Sequence, residues 1–271
     1  MYKTPLMLCL LALPATLWAQ SYQQQVRSAL DALAKDSIDM AEGLLYKALQ
    51  QEPALKSNAI LFQHLGHIQE RKKQYAQALD SYTKGLNLSP TTLGLLLDRA
   101  SLYLRQGNEK RALMDYNDAL ALSADHPEAL FFRAYIYTRQ RLYKQARLDY
   151  EHLIRLQPGN VEARMSLALL NDRDNRPREA MEQINTLIEF YPHRSDLYLA
   201  RGGMEQDRKQ YEASLHDMNR ALELSPKNPD AYLSRAALFM AMRKKKLAKR
   251  DCHTAISLGA DRETALRILV E

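Results

Sequence analysis

The sequence is poor in residues that break helices and in residues that cross-link chains. Its 271 residues include nine glycines, ten prolines and two cysteines, and no stretch reads as a long polar linker. So few breakers and no tether argue for one continuous array of elements rather than two domains. Two cysteines exclude a disulfide framework. No apolar run reaches the ~20 residues that a membrane-spanning helix requires. A dominant charge is missing as well, since Lys plus Arg exceed Asp plus Glu by only 38 − 32 = 6. This mild basic excess favours anionic partners without naming one.

Catalytic constellations are also missing. His64 and His67 stand one helical turn apart, but no Cys, His or acidic cluster completes a metal site around them. Cys252 and His253 are neighbours that point to different helix faces, a poor arrangement for a nucleophile and its base. The segment Asp172-Arg173-Asp174-Asn175 lacks the glycine and distal glutamate of a calcium loop. Gly202-Gly203 falls inside a helical pattern and reads as close packing rather than a phosphate cradle. The expectation is a non-enzyme with no cofactor and no metal.

The chain opens on a targeting pattern. Lys3, the apolar run Leu6 to Leu13, Pro14 and Trp18-Ala19-Gln20 read as a secretory signal peptide over 1–19, cut after Ala19. An exported protein is therefore expected, periplasmic or envelope-associated, with no transmembrane span in the mature chain. Cleavage removes Cys9 and leaves Cys252 as the only thiol, expected to be buried and inert.

Behind that segment the chain repeats itself. In residues 127–160 Leu130, Arg133, Ala134 and Tyr137 keep the three-and-four spacing of one helix face, and Ala146, Tyr150 and Leu153 keep it again. Arg141-Leu142-Tyr143 turns the chain between them, and Pro158-Gly159-Asn160 ends the second helix. A hairpin of this size cannot bury its own apolar face and needs neighbours. The sequence supplies them at 22–55, 59–92, 93–126, 161–194, 195–228 and 229–262, with no insertion from residue 59 onward. Small residues mark the helix crossings: Ala29, Gly66, Ala100, Ala134, Ala168, Gly202 and Ala236 face Ala41, Ala78, Ala112, Ala146, Ala180, Ser214 and Ala248. Residues 56–58 are the one insertion, where the array is expected to fray or bend. Asp261 is placed to cap a last helix, 263–271, with Ala265, Leu266, Leu269 and Val270 on one side.

The 34-residue period, together with Phe62, Leu65, Gly66, Ala78, Tyr82 and Pro90 of the second unit, resembles the tetratricopeptide repeat family. The resemblance covers essentially the whole mature chain. It implies an all-α, right-handed superhelical solenoid of seven hairpins with a C-terminal capping helix.

One correlation runs through the repeats. Arg99, Arg133, Arg201 and Arg235 stand where the family usually has Leu, and sixteen residues on the same units carry Asp115, Asp149, Asp217 and Asp251. The other three units have Ser28, Leu65 and Leu167 at the first place and Leu44, Ser81 and Gln183 at the second. The pattern predicts a forked ion pair inside each of the four hairpins. The alternative is a row of arginines offered to an anionic ligand.

The resemblance also implies a concave groove lined by the first helices. Its contact places fall on Leu97, Phe131, Met165, Leu199 and Leu233, and on His67, Ser101, Tyr135 and Leu169. Phe131, Tyr135, Met165 and Leu169 form either an exposed apolar patch or a seam between helices. Arg71, Arg105, Arg139 and Arg173 recur at the same period, as a ladder for acidic groups or as caps on helix ends. Family members that grip a C-terminal carboxylate use Lys and Asn at two groove places, where this chain has mostly Leu, Phe, Met and Tyr, so that activity is not carried over. Arg243, Lys244, Lys245 and Lys246, with Lys249 and Arg250, make the last hairpin basic. The expected function is an exported scaffold or adaptor that binds a protein or peptide segment in the groove. The runner-up is an electrostatic binder of envelope polyanions or membrane surface, and export argues against nucleic acid.

Overall fold

The computed structural model describes residues 12–270, with side chains from Ser21 onward. Every regular element among them is helical. Helices α1 (Ala12–Ala34) and α2 (Ile38–Gln51) form the first hairpin, followed by a short 3-10 turn, Lys56–Asn58. The succeeding hairpins are α3 (Ala59–Arg71) with α4 (Tyr75–Leu88), α5 (Leu93–Arg105) with α6 (Glu109–Leu122), α7 (Pro127–Arg139) with α8 (Tyr143–Leu156), and α9 (Val161–Arg173) with α10 (Pro177–Phe190). The last two are α11 (Ser195–Asp207) with α12 (Tyr211–Leu224) and α13 (Pro229–Ala241) with α14 (Lys245–Ser257), before the final α15 (Arg262–Ile268). They gather into two compact units, residues 1–129 and 130–271, whose boundary falls inside α7. The expected break between signal and fold, at residue 19, falls within α1, and residues 1–11, Cys9 among them, lie outside the described residues.

One turn is used throughout. Asp36, Lys73, Gly107, Arg141, Asn175, Lys209 and Arg243 all have positive φ, between 56° and 74°. In the turn between α7 and α8, the Leu142 N–H donates to the Tyr137 carbonyl at 2.9 Å and the Arg141 N–H to the Thr138 carbonyl at 3.1 Å. The paired bonds satisfy two carbonyls that a helix end leaves open. Glycine and asparagine take this left-handed geometry readily, whereas Lys73, Arg141, Lys209 and Arg243 hold it against a Cβ clash.

In unit 1–129, α1 to α3 bury Ala29, Leu45, Leu61, Leu65 and Ile68 together. A Cβ on Gly66 would stand inside the Tyr82 ring, so the glycine is what admits that buried side chain. The insertion at 56–58 is anchored: Asn58 is fully buried, accepts from the Tyr22 hydroxyl and donates to the Glu52 carbonyl. That replaces the expected fraying, because a buried amide held at both ends resists opening.

In unit 130–271 each crossing of small residues is sealed, with Ala134 and Ala146, Ala168 and Ala180, and Ala236 and Ala248 fully buried. Where Gly202 replaces alanine, the Ser214 hydroxyl donates to the Gly202 carbonyl at 2.8 Å. Cys252 is fully buried, and burial first, then Asp251, pushes its thiol up. Asp261 caps α15 by accepting from the Thr264 N–H at 2.7 Å. Ala265, Ile268 and Leu269 pack on Ala236, Phe239 and Cys252, whereas Leu266 and Val270 are exposed. That corrects the expected lid face, since α15 has seven residues and its inward stripe runs through i, i+3 and i+4 from Ala265.

Candidate functional site

The four Arg–Asp pairs are forked hydrogen-bonded bridges. Nε and Nη2 of Arg99 reach the Asp115 carboxylate at 2.8 and 2.8 Å, and those of Arg133 reach Asp149 at 2.7 and 2.8 Å. Arg201 meets Asp217 at 2.6 and 2.8 Å, and Arg235 meets Asp251 at 2.7 and 3.1 Å. All four aspartates are buried. Their carboxylates hold Arg99, Arg133 and Arg201 above the ordinary guanidinium value. Such pairs add little net stability, but removal of one partner strands a charge.

Sequence reading missed a third member. Arg99 Nη1 donates to Thr83 at 3.1 Å, Arg201 Nη1 to Asn185 at 2.8 Å and Arg235 Nη1 to Asn219 at 2.8 Å. Each acceptor lies sixteen residues before its arginine, on the second helix of the preceding hairpin, so the arginine ties one repeat to the next. The signal was present, because Asn117 holds this register before Arg133, while Tyr46, across the 56–58 insertion, and Glu151 hold it before Leu65 and Leu167. Where Leu65 and Leu167 replace the arginine, neutral amides take over one turn later. Ser81 donates to Gln69 at 2.7 Å, and Asn171 donates to Gln183 at 3.0 Å.

The expected groove residues divide between the units. In unit 1–129, Leu97 is buried, with 9% exposure. It belongs to the core and offers no groove contact, a correction that follows from tighter packing than its counterparts meet. Around half-buried Ser101 the face is polar and already engaged. Asp98 accepts from Gln63 at 2.6 Å and contacts His67 Nε2 at 2.8 Å. Arg71 pairs with Asp36 at 2.9 Å, and Arg105 pairs with Glu70. A 330 Å³ cavity lies among His67, Glu70, Arg71, Asp98, Ser101 and Arg105. Burial, then His67, pushes the His64 imidazole down. Among the described residues no three His, Cys, Asp or Glu side chains gather in a metal-binding group.

In unit 130–271 the corresponding face is apolar and aromatic. Phe131 is half-buried, with its ring edge-on to Tyr150 at 5.8 Å. Tyr135 is 40% exposed, and the Arg139 guanidinium stands 5.9 Å from its ring centre. Met165 and Leu169 are half-buried against the core of α9 to α11, and Arg173 is exposed at the helix end. Half-burial of Phe131, Met165 and Leu169 makes this patch a partly packed seam from which Tyr135 projects.

A larger cavity, 770 Å³, opens elsewhere, between α8 and α10. Glu151, Leu167 and Gln183 line it together with apolar Ile154, Leu187 and Phe190. At the other end of this hairpin Arg147 on α8 donates to Asn171 at 2.9 Å and to Asp174 at 2.6 Å. At the last hairpin, Arg243, Lys244, Lys245 and Lys246 are all exposed around the α13–α14 turn. No helix among the described residues is long and apolar enough to cross a membrane.

A continuing series of helix hairpins, crossing on small residues at a fixed period, defines an α-helical repeat protein. The chain carries tetratricopeptide repeats: models of that repeat match residues 97–160 and 139–195, and another matches 59–92. The fold is similar to a tetratricopeptide repeat protein from Parabacteroides merdae, 29% identical, with 93% of this chain and 98% of that one covered at a TM-score of 0.84. It is also similar to MamA, 18% identical, covering 72% and 97% at 0.58. Pseudomonas aeruginosa pilF is 15% identical, covering 79% and 98% at 0.55. No curated protein matches the sequence.

Proposed function

We propose that the protein is an exported, non-catalytic interaction scaffold that holds a peptide segment on the first-helix face of residues 130–271. Tyr135 carries this reading, because it is a large aromatic left 40% exposed in a seam whose other members are half-buried. An aromatic with a polar tip and an adjacent guanidinium is the side-chain set that dominates binding at protein interfaces. Phe131, Met165 and Leu169 form the floor, while Arg139 and Arg173 at the helix ends favour acidic groups along one edge of the peptide. Ser101 and Arg105 belong to the self-paired face of the other unit and contribute little. The tetratricopeptide repeats support the interaction role, and residues 1–19 support export.

The test is a peptide array probed with protein lacking residues 1–19, followed by titration of the captured peptides. Tyr135→Ala should weaken capture at least tenfold, about 1.4 kcal/mol, with helicity unchanged by circular dichroism. Full capture by the variant sinks the reading. Export is tested separately by sequencing the amino terminus of protein recovered from the producing cell, which should begin at Gln20.

A second reading rests on the four exposed cations at the last turn. Arg243, Lys244, Lys245 and Lys246 are expected to draw the protein to anionic envelope surfaces. Binding to vesicles rich in anionic lipid should fall steeply with salt and should vanish when these four residues are neutralised.

A further inference from the structure

The 770 Å³ cavity coincides with the one interruption of the arginine ties in unit 130–271. In hairpin 195–228 three register positions act together. Asn185 accepts from Arg201 Nη1 at 2.8 Å, while Asp217 accepts from its Nε and Nη2 at 2.6 and 2.8 Å. In hairpin 161–194 the same three positions are Glu151, Leu167 and Gln183, and all three line the cavity. Acceptors on either side are thus kept but exchanged, the amide of Asn185 becoming the carboxylate of Glu151 and the carboxylate of Asp217 the amide of Gln183. The cation between them has been replaced by a leucine too short to fill the space.

The remaining charges leave that position open. Glu151 is half-buried and makes no ion pair among the described residues, although Arg155, one turn along α8, also lines the cavity. Arg164 is directed elsewhere, with its Nε donating to the Pro158 carbonyl at 2.6 Å. Gln183 Oε1 accepts one bond, from Asn171 at 3.0 Å, and a carbonyl oxygen has capacity for a second. The lining also holds the carboxylates of Glu179 and Glu182 and the guanidinium groups of Arg155 and Arg164, and Glu179 is paired with Arg176 at 3.7 Å. Phe190 also lines the cavity and is 74% exposed. Apolar walls suit the methylene stem of an arginine, and a carboxylate suits its charged, planar head.

We propose that this cavity binds an arginine side chain of a partner protein, whose guanidinium takes the place that Arg99, Arg133, Arg201 and Arg235 occupy in their own repeats. The site lies between α8 and α10 and is separate from the Tyr135 face.

The test uses a fluorescein-labelled Leu-Arg-Leu amide and its citrulline counterpart, titrated by anisotropy. The arginine probe should bind saturably, and the citrulline probe at least ~10-fold more weakly, as expected for loss of a charge-assisted bond. The double variant Leu167→Arg/Gln183→Asp rebuilds the tie used by the other repeats in exchange for the Gln183 acceptor of Asn171, so it should keep its helicity by circular dichroism and yet lose the probe by ~10-fold or more. Glu151→Gln, which leaves the core untouched, should weaken the probe in the same direction, while Tyr135→Ala should not. The proposal is overturned if the parent shows no saturable binding, if citrulline binds as well as arginine, or if the rebuilt variant binds like the parent. Self-association of the parent that disappears in the rebuilt variant would also overturn it, by assigning the arginine to a second copy of this chain.

Discussion

Hairpins 161–194 and 195–228 are neighbours of equal length and nearly equal backbone, yet they solve the same packing problem with different chemistry. The second places Arg201 against buried Asp217 and reaches back to Asn185. The first places Leu167 in the arginine's position and lets Asn171 and Gln183 pair as neutral amides one turn further on. The comparison teaches that the repeat requires a satisfied polar contact between its two helices but does not require that contact to be charged. It also shows what the charged version does besides. The arginine fills space against the preceding hairpin, and a cavity opens where it is missing.

Breaking the charged version should have the largest effect. Asp217→Leu strands a half-buried guanidinium and should cost about 3–5 kcal/mol in chemical denaturation, whereas Arg201→Leu/Asp217→Leu should recover most of it. Equal losses in the single and double variants would show that no coupled pair exists. The neutral version should break more gently. Gln183→Leu orphans the Asn171 amide and should cost about 1–3 kcal/mol. An effect as large as that of Asp217→Leu would erase the distinction between the hairpins.

Hairpin 195–228 carries a further charge that its neighbour lacks. Glu205 is buried, and its Oε2 has no hydrogen-bond partner among the described residues. Burial first, then Asp217, raises its pKa. A carboxyl raised in the folded state holds its proton more tightly there. Its contribution is therefore greatest below the unfolded glutamate value and is lost as pH climbs from that value to the raised one. Glu205→Gln should remove this decline and stabilise the protein at neutral pH by about 1–2 kcal/mol, read from denaturation midpoints across pH. A pH profile unchanged by the substitution would count against the burial argument.

The smallest effect concerns the turns. Lys209 and Asn175 hold the same left-handed geometry, which asparagine tolerates better than lysine. Lys209→Gly should raise stability by about 0.5–1 kcal/mol, and Asn175→Gly by less. The reverse order would mean that the Lys209 side chain contributes something its exposure does not reveal.

Most of this architecture was legible because a repeat reports on itself. Ala134 and Ala146 marked a close crossing because their counterparts are small in every unit, and Arg133 implied Asp149 because the two vary together along the chain. The sites were less legible because exposure is decided by neighbours rather than by register. Leu97 and Phe131 occupy equivalent places, yet one is sealed and the other half-open. Arg71 and Arg105 looked like free rungs, but their carboxylates, Asp36 and Glu70, sit in the preceding repeat at a spacing no single hairpin displays. The cavity beside Leu167 is a hole, and no residue codes for one directly. Only the break in the arginine series pointed to it.

Arg147 gives that hole a mechanical consequence. It fastens α8 to the turn of hairpin 161–194 through Asn171 and Asp174, while toward Pro158 and Tyr191 the cavity lies between α8 and α10, and α8 is held by the apolar packing of Ile154 with Leu167. The polar fastening is thus at one end of the joint and the empty volume at the other. If α8 separates from α10, the separation should therefore be smallest at Arg147 and largest at Tyr191, which amide exchange along α10 would read as faster exchange toward its last turn.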